Sequence, residues 1–163
     1  MRSTLSICAV ITAINFDEFV FLPEPGKDYF NRNYYCEMLQ YYFFEPYGNR
    51  LNRAWKKDAR ITNCNSGGHR LSGATLKFPP FNHLLRHYIV LSAEHAKKKY
   101  LHRTFDINEI EKGWHGNRLN FTYENLELPD ESQFLFRLGK YDSRPLFKEN
   151  PSKRHFWEWK NRE

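Results

Sequence analysis

The stretch INFDEFVFLP, residues 14–23, places the acidic pair Asp17 and Glu18 inside an otherwise apolar run. Charged carboxylates among aliphatic and aromatic side chains are costly unless another group pairs with them. Just upstream, LSICAVITAI at residues 5–14 is a continuous apolar run rich in β-branched residues. Such a run is typical of an interior strand in a sheet that is covered on both faces. We therefore expect a strand over 5–14, with Asn15 and the two acids at or just beyond its carboxyl end, where α/β sheets bind ligands.

A second strand and two helices are predicted in the middle of the chain. The segment LLRHYIVLS, residues 84–92, predicts a strand, and Ser92 fits the N-cap of a following helix. AEHAKKKYLHRTF, residues 93–105, predicts an amphipathic helix with a basic outer face, interpreted as solvated, with an anion or membrane-surface patch as the alternative. A short helix is expected to begin after Asp106, with Gly113 as its C-terminal stop.

The size and composition of the chain fit one globular domain. We expect a single domain over residues 1–163, with a core over 5–128 and a C-terminal extension over 129–163. Aromatic residues make up 17% of the chain, which suits stacking on sugars or bases, although an aromatic core explains most of them equally simply. Residues 29–47 are dense in aromatics with weak periodicity, so helix and strand both stay open there.

The net charge and the cysteines indicate which kinds of partner and which cellular compartment the composition favours. A net charge of +6 favours anionic partners such as nucleotides and phosphates, but lacks the dense basic stripe of a dedicated nucleic-acid binder. The three cysteines show no CxxC spacing and suggest reduced, mostly buried thiols, which favours a cytoplasmic protein. The apolar N-terminal run is better explained as a buried strand than as a signal peptide, and no run reaches the length of a membrane span.

Several polar residues could carry chemistry. A carboxylate at a strand end, such as Asp17, can hold Mg²⁺ or Mn²⁺ against a diphosphate, and a solvated turn is the plain alternative. His69, in a Gly-rich loop, and His87, in the predicted strand, are possible metal ligands, and Arg86 could brace phosphate oxygens. Strand alternation predicts that His87 and Arg86 lie on opposite faces. The segment GWHGNR, residues 113–118, could position a sugar or a phosphate, or could simply pack after a helix.

These pieces, in this order, resemble bacterial family 2-like glycosyltransferases. In that family a D-x-D-E-F motif ends a central strand of a GT-A fold, and an H-Y strand and the pattern S-x-E-x-x-x-x-K follow. The matching positions are Asp17, Glu18 and Phe19, then His87 and Tyr88, then Ser92, Glu94 and Lys99. The resemblance covers roughly residues 10–120, and the order and spacing of the motifs carry it.

The resemblance implies transfer of a sugar from a nucleotide-sugar donor to a glycan or other acceptor, assisted by Mn²⁺ or Mg²⁺. It also implies a set of site residues. These are the metal ligands Asp17, Asn15, His69 and His87, the diphosphate contacts Arg86 and Arg118, and Glu18, which shapes the pocket and is assigned as catalytic.

Two departures from the family pattern change the expectation. Asn15 replaces the first acid of D-x-D, and an amide is a weaker ligand for a hard cation. Only 14 residues precede Asn15, so the expected fold is α/β, a partial GT-A-like mixed sheet with flanking helices, whose N-terminal nucleotide-binding half is largely missing. Such a truncated enzyme could be inactive alone, and its exposed sheet edges leave a homo-oligomer open. The alternative function is a non-catalytic glycan- or partner-binding module. Another phosphate-handling enzyme is disfavoured because the sequence has no Walker-type loop.

Overall fold

A computed structural model of the chain describes residues 10–46, 52–57, 60–64, 70–113, 119, 121–139 and 145–159. The strands are β1 (Ala13–Leu22), β2 (Gln40–Phe44), β3 (Asn52–Trp55), β4 (His83–Tyr88) and β5 (Phe136–Arg137). The α-helices are α1 (Tyr34–Glu37), α2 (Ala93–Tyr100) and α3 (Ile107–Glu111), and short 3₁₀ turns cover Glu124–Leu126 and Phe156–Glu158. The protein therefore has the α/β character predicted from the sequence, with few and short helices.

Strand β1 belongs to an open antiparallel sheet and pairs with three other strands. Its second half pairs with β2, from Glu18 opposite Phe44 to Leu22 opposite Gln40. Its first half pairs with β3, β4 also pairs with β1, and β5 pairs with the far edge of β2. The pairs β1–β2, β1–β3 and β2–β5 are antiparallel, whereas the sequence predicted a mixed sheet.

The prediction that the first strand ends before Asn15 is wrong. Strand β1 begins at Ala13 and continues through both acids to Leu22. The apolar run at residues 19–22 supplies the reason, because these four side chains are at most 1% exposed and are covered on both faces of the strand. Residues 5–9 of the predicted strand lie outside the described part of the chain.

The chain divides into two compact units, Met1–Asp17 with Tyr47–Leu84, and Glu18–Pro46 with Leu85–Glu163. In the first unit, Ala13, Ile61 and Leu71 form a small apolar cluster. In the second unit, alternation along β1 sends Val20 and Leu22 into one cluster and the two phenylalanines beside them into another. Many of the aromatic residues therefore lie in the described core. It also includes side chains beyond residue 128, namely Leu138, Leu146, Phe156 and Trp157.

Several local predictions are confirmed. The hydroxyl of Ser92 accepts a hydrogen bond from the backbone N–H of His95 at 3.1 Å and caps α2, which ends at Tyr100, earlier than expected. Helix α3 begins after Asp106, whose carboxylate caps it, and Gly113 follows with a φ of 73°. No helix in the described parts of the chain combines the length and the apolar character that a membrane span requires.

The cysteines differ in part from expectation. Cys36 and Cys64 are free thiols, as predicted, but both are exposed rather than buried. Cys8 lies outside the described residues.

Candidate functional site

Asn15 and Asp17 lie on the same face of β1, because they are two positions apart in a strand. The side-chain amide of Asn82 connects them. Its Nδ2 donates to Oδ1 of Asp17 at 2.9 Å, and its Oδ1 accepts from Nδ2 of Asn15 at 3.0 Å. Asn15 is 2% exposed and Asp17 is 8% exposed. This group of three residues, the Asn15–Asp17–Asn82 group, is therefore an ordered arrangement of amides around a buried carboxylate.

Glu18 forms a separate pair with His87. Oε1 of Glu18 lies 2.5 Å from Nδ1 of His87, and the carboxylate is 6% exposed whereas the imidazole is 36% exposed. Because an ionised carboxylate can only accept hydrogen bonds, we assign the proton of this contact to Nδ1. In the neutral ring that assignment makes Nε2, on the opposite edge, the acceptor. The Glu18–His87 pair is thus a buried acid that orients a half-exposed base, an arrangement suited to moving a proton.

Neighbouring residues in a strand project to opposite faces, so Asp17 and Glu18 leave β1 on different sides. The resemblance had grouped Asp17, Asn15, His69 and His87 around one cation, with Glu18 shaping the pocket beside it. Within the described residues, no three His, Cys, Asp or Glu side chains are arranged to share a metal ion. Two predicted site residues, His69 and Arg118, lie outside the described part of the chain.

Arg86 lies on the opposite face of β4 from His87, as strand alternation predicted. Its guanidinium lies 5.4 Å from the ring centroid of Phe21, and the Tyr88 ring packs on the same phenylalanine with a centroid distance of 5.0 Å. Tyr35 contacts Tyr88 edge-on at 5.3 Å. Arg86 itself is exposed, so this face combines a guanidinium with aromatic rings.

Two buried polar residues near Glu18 were missed from the sequence. Glu18 is opposite Phe44 in the β1–β2 ladder, and the His155 ring stacks on Phe44 at a centroid distance of 4.0 Å. Nδ1 of His155 is 2.9 Å from the hydroxyl of Tyr42. Burial chiefly, and then the negative charge of Glu18, raises the pKa of Tyr42 well above its ordinary value. This tyrosine therefore stays protonated beside the acid.

Asn82 was also missed, since an asparagine in the break FPPFNH gives no local signal of a distant partner. Its role is visible only once β4 is paired with β1.

No protein-family model, no curated protein and no solved structure matches this chain. The function is therefore inferred from the motifs of the sequence and from the geometry of the Asn15–Asp17–Asn82 group and of the Glu18–His87 pair.

Proposed function

We propose that this chain is a glycosyltransferase-related protein in which the Glu18–His87 pair provides the base for sugar transfer. The observation that carries the proposal is the contact of 2.5 Å between a carboxylate that is 6% exposed and an imidazole that is 36% exposed. Glu18 is the residue that the resemblance assigns to catalysis. The contact gives it a specific role, which is to fix the orientation and the protonated nitrogen of His87.

The proposed chemistry follows from that tautomer. The hydroxyl oxygen of the acceptor attacks the anomeric carbon of the donor sugar, and the bond from that carbon to the nucleoside diphosphate breaks. Nε2 of His87 takes up the hydroxyl proton, and the imidazolium that forms is stabilised by the adjacent carboxylate of Glu18. A positioned base of this kind contributes about 10²–10⁴ to the rate.

A divalent cation remains part of the proposal through the resemblance. Mg²⁺ is commonly held by one or two carboxylates together with water and substrate phosphates. The resemblance assigns the cation to Asp17 and to the amide of Asn15, which lie on the same face of β1 in the first unit. A cation held there would neutralise charge on a bound phosphate. The resemblance assigns the diphosphate contacts to Arg86, in the second unit, and to Arg118, which lies outside the described residues.

The experiment is a donor screen with matched variants. The purified chain is incubated with UDP- and GDP-sugars and a panel of glycan acceptors, with and without Mn²⁺, and free nucleotide is measured. His87→Gln and Glu18→Gln are expected to lower turnover about 10²-fold or more, whereas His102→Gln, the same change at an exposed histidine, leaves it unchanged. Absence of turnover with every donor in a folded chain would refute the proposal, as would full activity of His87→Gln.

A non-catalytic glycan-binding module is the second candidate, and the exposed aromatic residues favour it. Phe30 is 63% exposed and Tyr35 is 60% exposed, and exposed rings of this kind suit stacking on sugar faces. Glycan binding that is lost in Tyr35→Ala, without any turnover by the parent chain, would support this function instead.

A further inference from the structure

A cleft of about 750 Å³ opens in the second unit, and neither Glu18 nor His87 lines it. It is lined by the turn at residues 25–26, by Ala93 and Lys97 of α2, and by residues 123, 124 and 126–131. This volume lies in the range of protein ligand sites. The cleft is thus large enough for a ligand, and no residue of the proposed catalytic pair lines it.

The lining combines an apolar floor with an acidic rim. Leu126 and Leu128 are 1% and 6% exposed and form part of the floor. Four acidic residues, Glu124, Glu127, Asp130 and Glu131, are among the residues that line the cleft. Lys97 is the one basic residue among the lining side chains. Acidic residues thus outnumber basic ones in the lining of the cleft, although the whole chain carries a net charge of +6.

Tyr123 lines the cleft, and its ring contacts a cation. Its side chain is 62% exposed, and Nζ of Lys97 lies 5.4 Å from the centroid of its ring. An ammonium group over an aromatic face is a favourable cation–π contact. The ammonium group of Lys97 therefore makes the contact with the Tyr123 ring that a cationic group of a ligand would make in its place.

The positions of the acidic residues in the lining indicate which kind of cationic ligand the cleft fits. All the lining residues belong to the described part of the chain, in which no three acidic, histidine or cysteine side chains are arranged to hold a metal ion. Along the lining segment the acidic residues are interleaved with the apolar Leu126 and Leu128. Acidic residues interleaved with apolar ones suit a ligand that carries several separate cations joined by apolar groups.

We propose that this cleft binds a short basic peptide segment, with its lysine or arginine side chains directed to the acidic rim and an apolar side chain placed against Leu126 and Leu128. Charge complementarity and the aromatic wall at Tyr123 carry the proposal. It does not depend on the proposed catalytic function.

The test uses a fluorescein-labelled peptide that alternates arginine and leucine, with binding followed by fluorescence anisotropy. The double variant Asp130→Asn/Glu131→Gln is expected to weaken binding about tenfold, because two charge contacts are removed. The double variant Glu111→Gln/Glu149→Gln changes the net charge of the chain equally at exposed positions outside the cleft. It is expected to change the affinity less than about twofold.

Further measurements distinguish specific binding in the cleft from non-specific attraction between opposite charges. Lys97→Met is expected to strengthen binding about threefold, because it removes the one positive charge among the lining residues and leaves the ring of Tyr123 to a ligand cation. A peptide that alternates glutamate and leucine is expected not to bind. Equal weakening by the two double variants would overturn the proposal, as would non-saturable binding or competition by Ca²⁺ as strong as that by the unlabelled peptide.

Discussion

Replacement of Glu24 by alanine is expected to lower the free energy of unfolding at pH 7 by about 2–5 kcal/mol. Glu24 is 8% exposed, and its carboxylate has three partners in the second unit. The hydroxyl of Tyr29 donates to Oε2 at 2.6 Å, Nζ of Lys27 lies 2.5 Å from the same oxygen, and a guanidinium nitrogen of Arg137 contacts Oε1. The substitution removes the common acceptor of all three.

The magnitude follows from the burial of each partner. A hydrogen bond from a buried hydroxyl to an ionised carboxylate contributes about 1.5–3 kcal/mol. Burial, and then the hydrogen bond to Glu24, raises the pKa of Tyr29, so its hydroxyl stays a donor. The side chains of Lys27 and Arg137 are 52% and 56% exposed. Solvent therefore screens their ion pairs to about 0.2–1 kcal/mol each.

The effect also has a predicted dependence on pH. Burial alone would raise the pKa of Glu24, but the hydrogen bonds from Lys27 and Tyr29 and the nearby positive charges outweigh it, so the pKa is lowered. A carboxyl whose pKa is lower in the folded state stabilises the fold above its unfolded pKa, about 4.3 for glutamate. This stabilisation is lost as the pH falls through the folded-state value. The stability of the parent chain and that of the variant should therefore converge in acid.

The assay is urea unfolding followed by tryptophan fluorescence, at pH 7 and in steps down to about pH 3. Glu24→Gln is the matched variant, since it keeps an acceptor oxygen for Tyr29 and removes the charge. It should show a smaller loss at pH 7 and should lack the acid-dependent part. The reasoning fails if Glu24→Ala costs less than about 0.5 kcal/mol at pH 7, or if the difference from the parent chain does not shrink in acid.

Three further substitutions test single structural assignments by urea unfolding. Ser92→Ala removes the N-cap of α2 and is expected to cost about 1 kcal/mol, whereas Ser92→Thr should keep most of it. Gly73→Ala should strongly destabilise the first unit, because a Cβ there would lie 1.9 Å from the carbonyl oxygen of Arg60, and a near-neutral result would contradict that packing. Tyr42→Phe should cost about 1–3 kcal/mol by removing the hydroxyl partner of buried His155, and an unchanged midpoint would count against that hydrogen bond.

The starts of α2 and α3 and the end of α3 could be predicted from the sequence because their signals are local. Ser92 and Asp106 each cap a backbone N–H within three residues, and Gly113 supplies the positive φ that follows α3. Such contacts form from neighbours along the chain. The sequence therefore contains the information within one short window.

The end of the first strand could not be predicted in the same way. The acids at positions 17 and 18 were interpreted as a polar break, since charged groups in a strand need partners that the local sequence does not contain. Those partners, Asn82 and His87, lie 65 and 69 residues further along the chain. Only the pairing of β4 with β1 brings them within hydrogen-bond distance. The apolar run at 19–22 could have indicated that the strand continues.

The geometry also gives the two acids different hydrogen-bond partners. Two adjacent carboxylates in one strand point to opposite faces, so each must be satisfied on its own side. Asp17 accepts a hydrogen bond from the amide of Asn82, a group that cannot take up a proton at ordinary pH, whereas Glu18 contacts the imidazole of His87, a group that can. The motif directs attention to Asp17 as the metal ligand. In the proposed function Glu18 contacts the imidazole that takes up the proton, so the first variants to examine for loss of activity are those of Glu18 and His87.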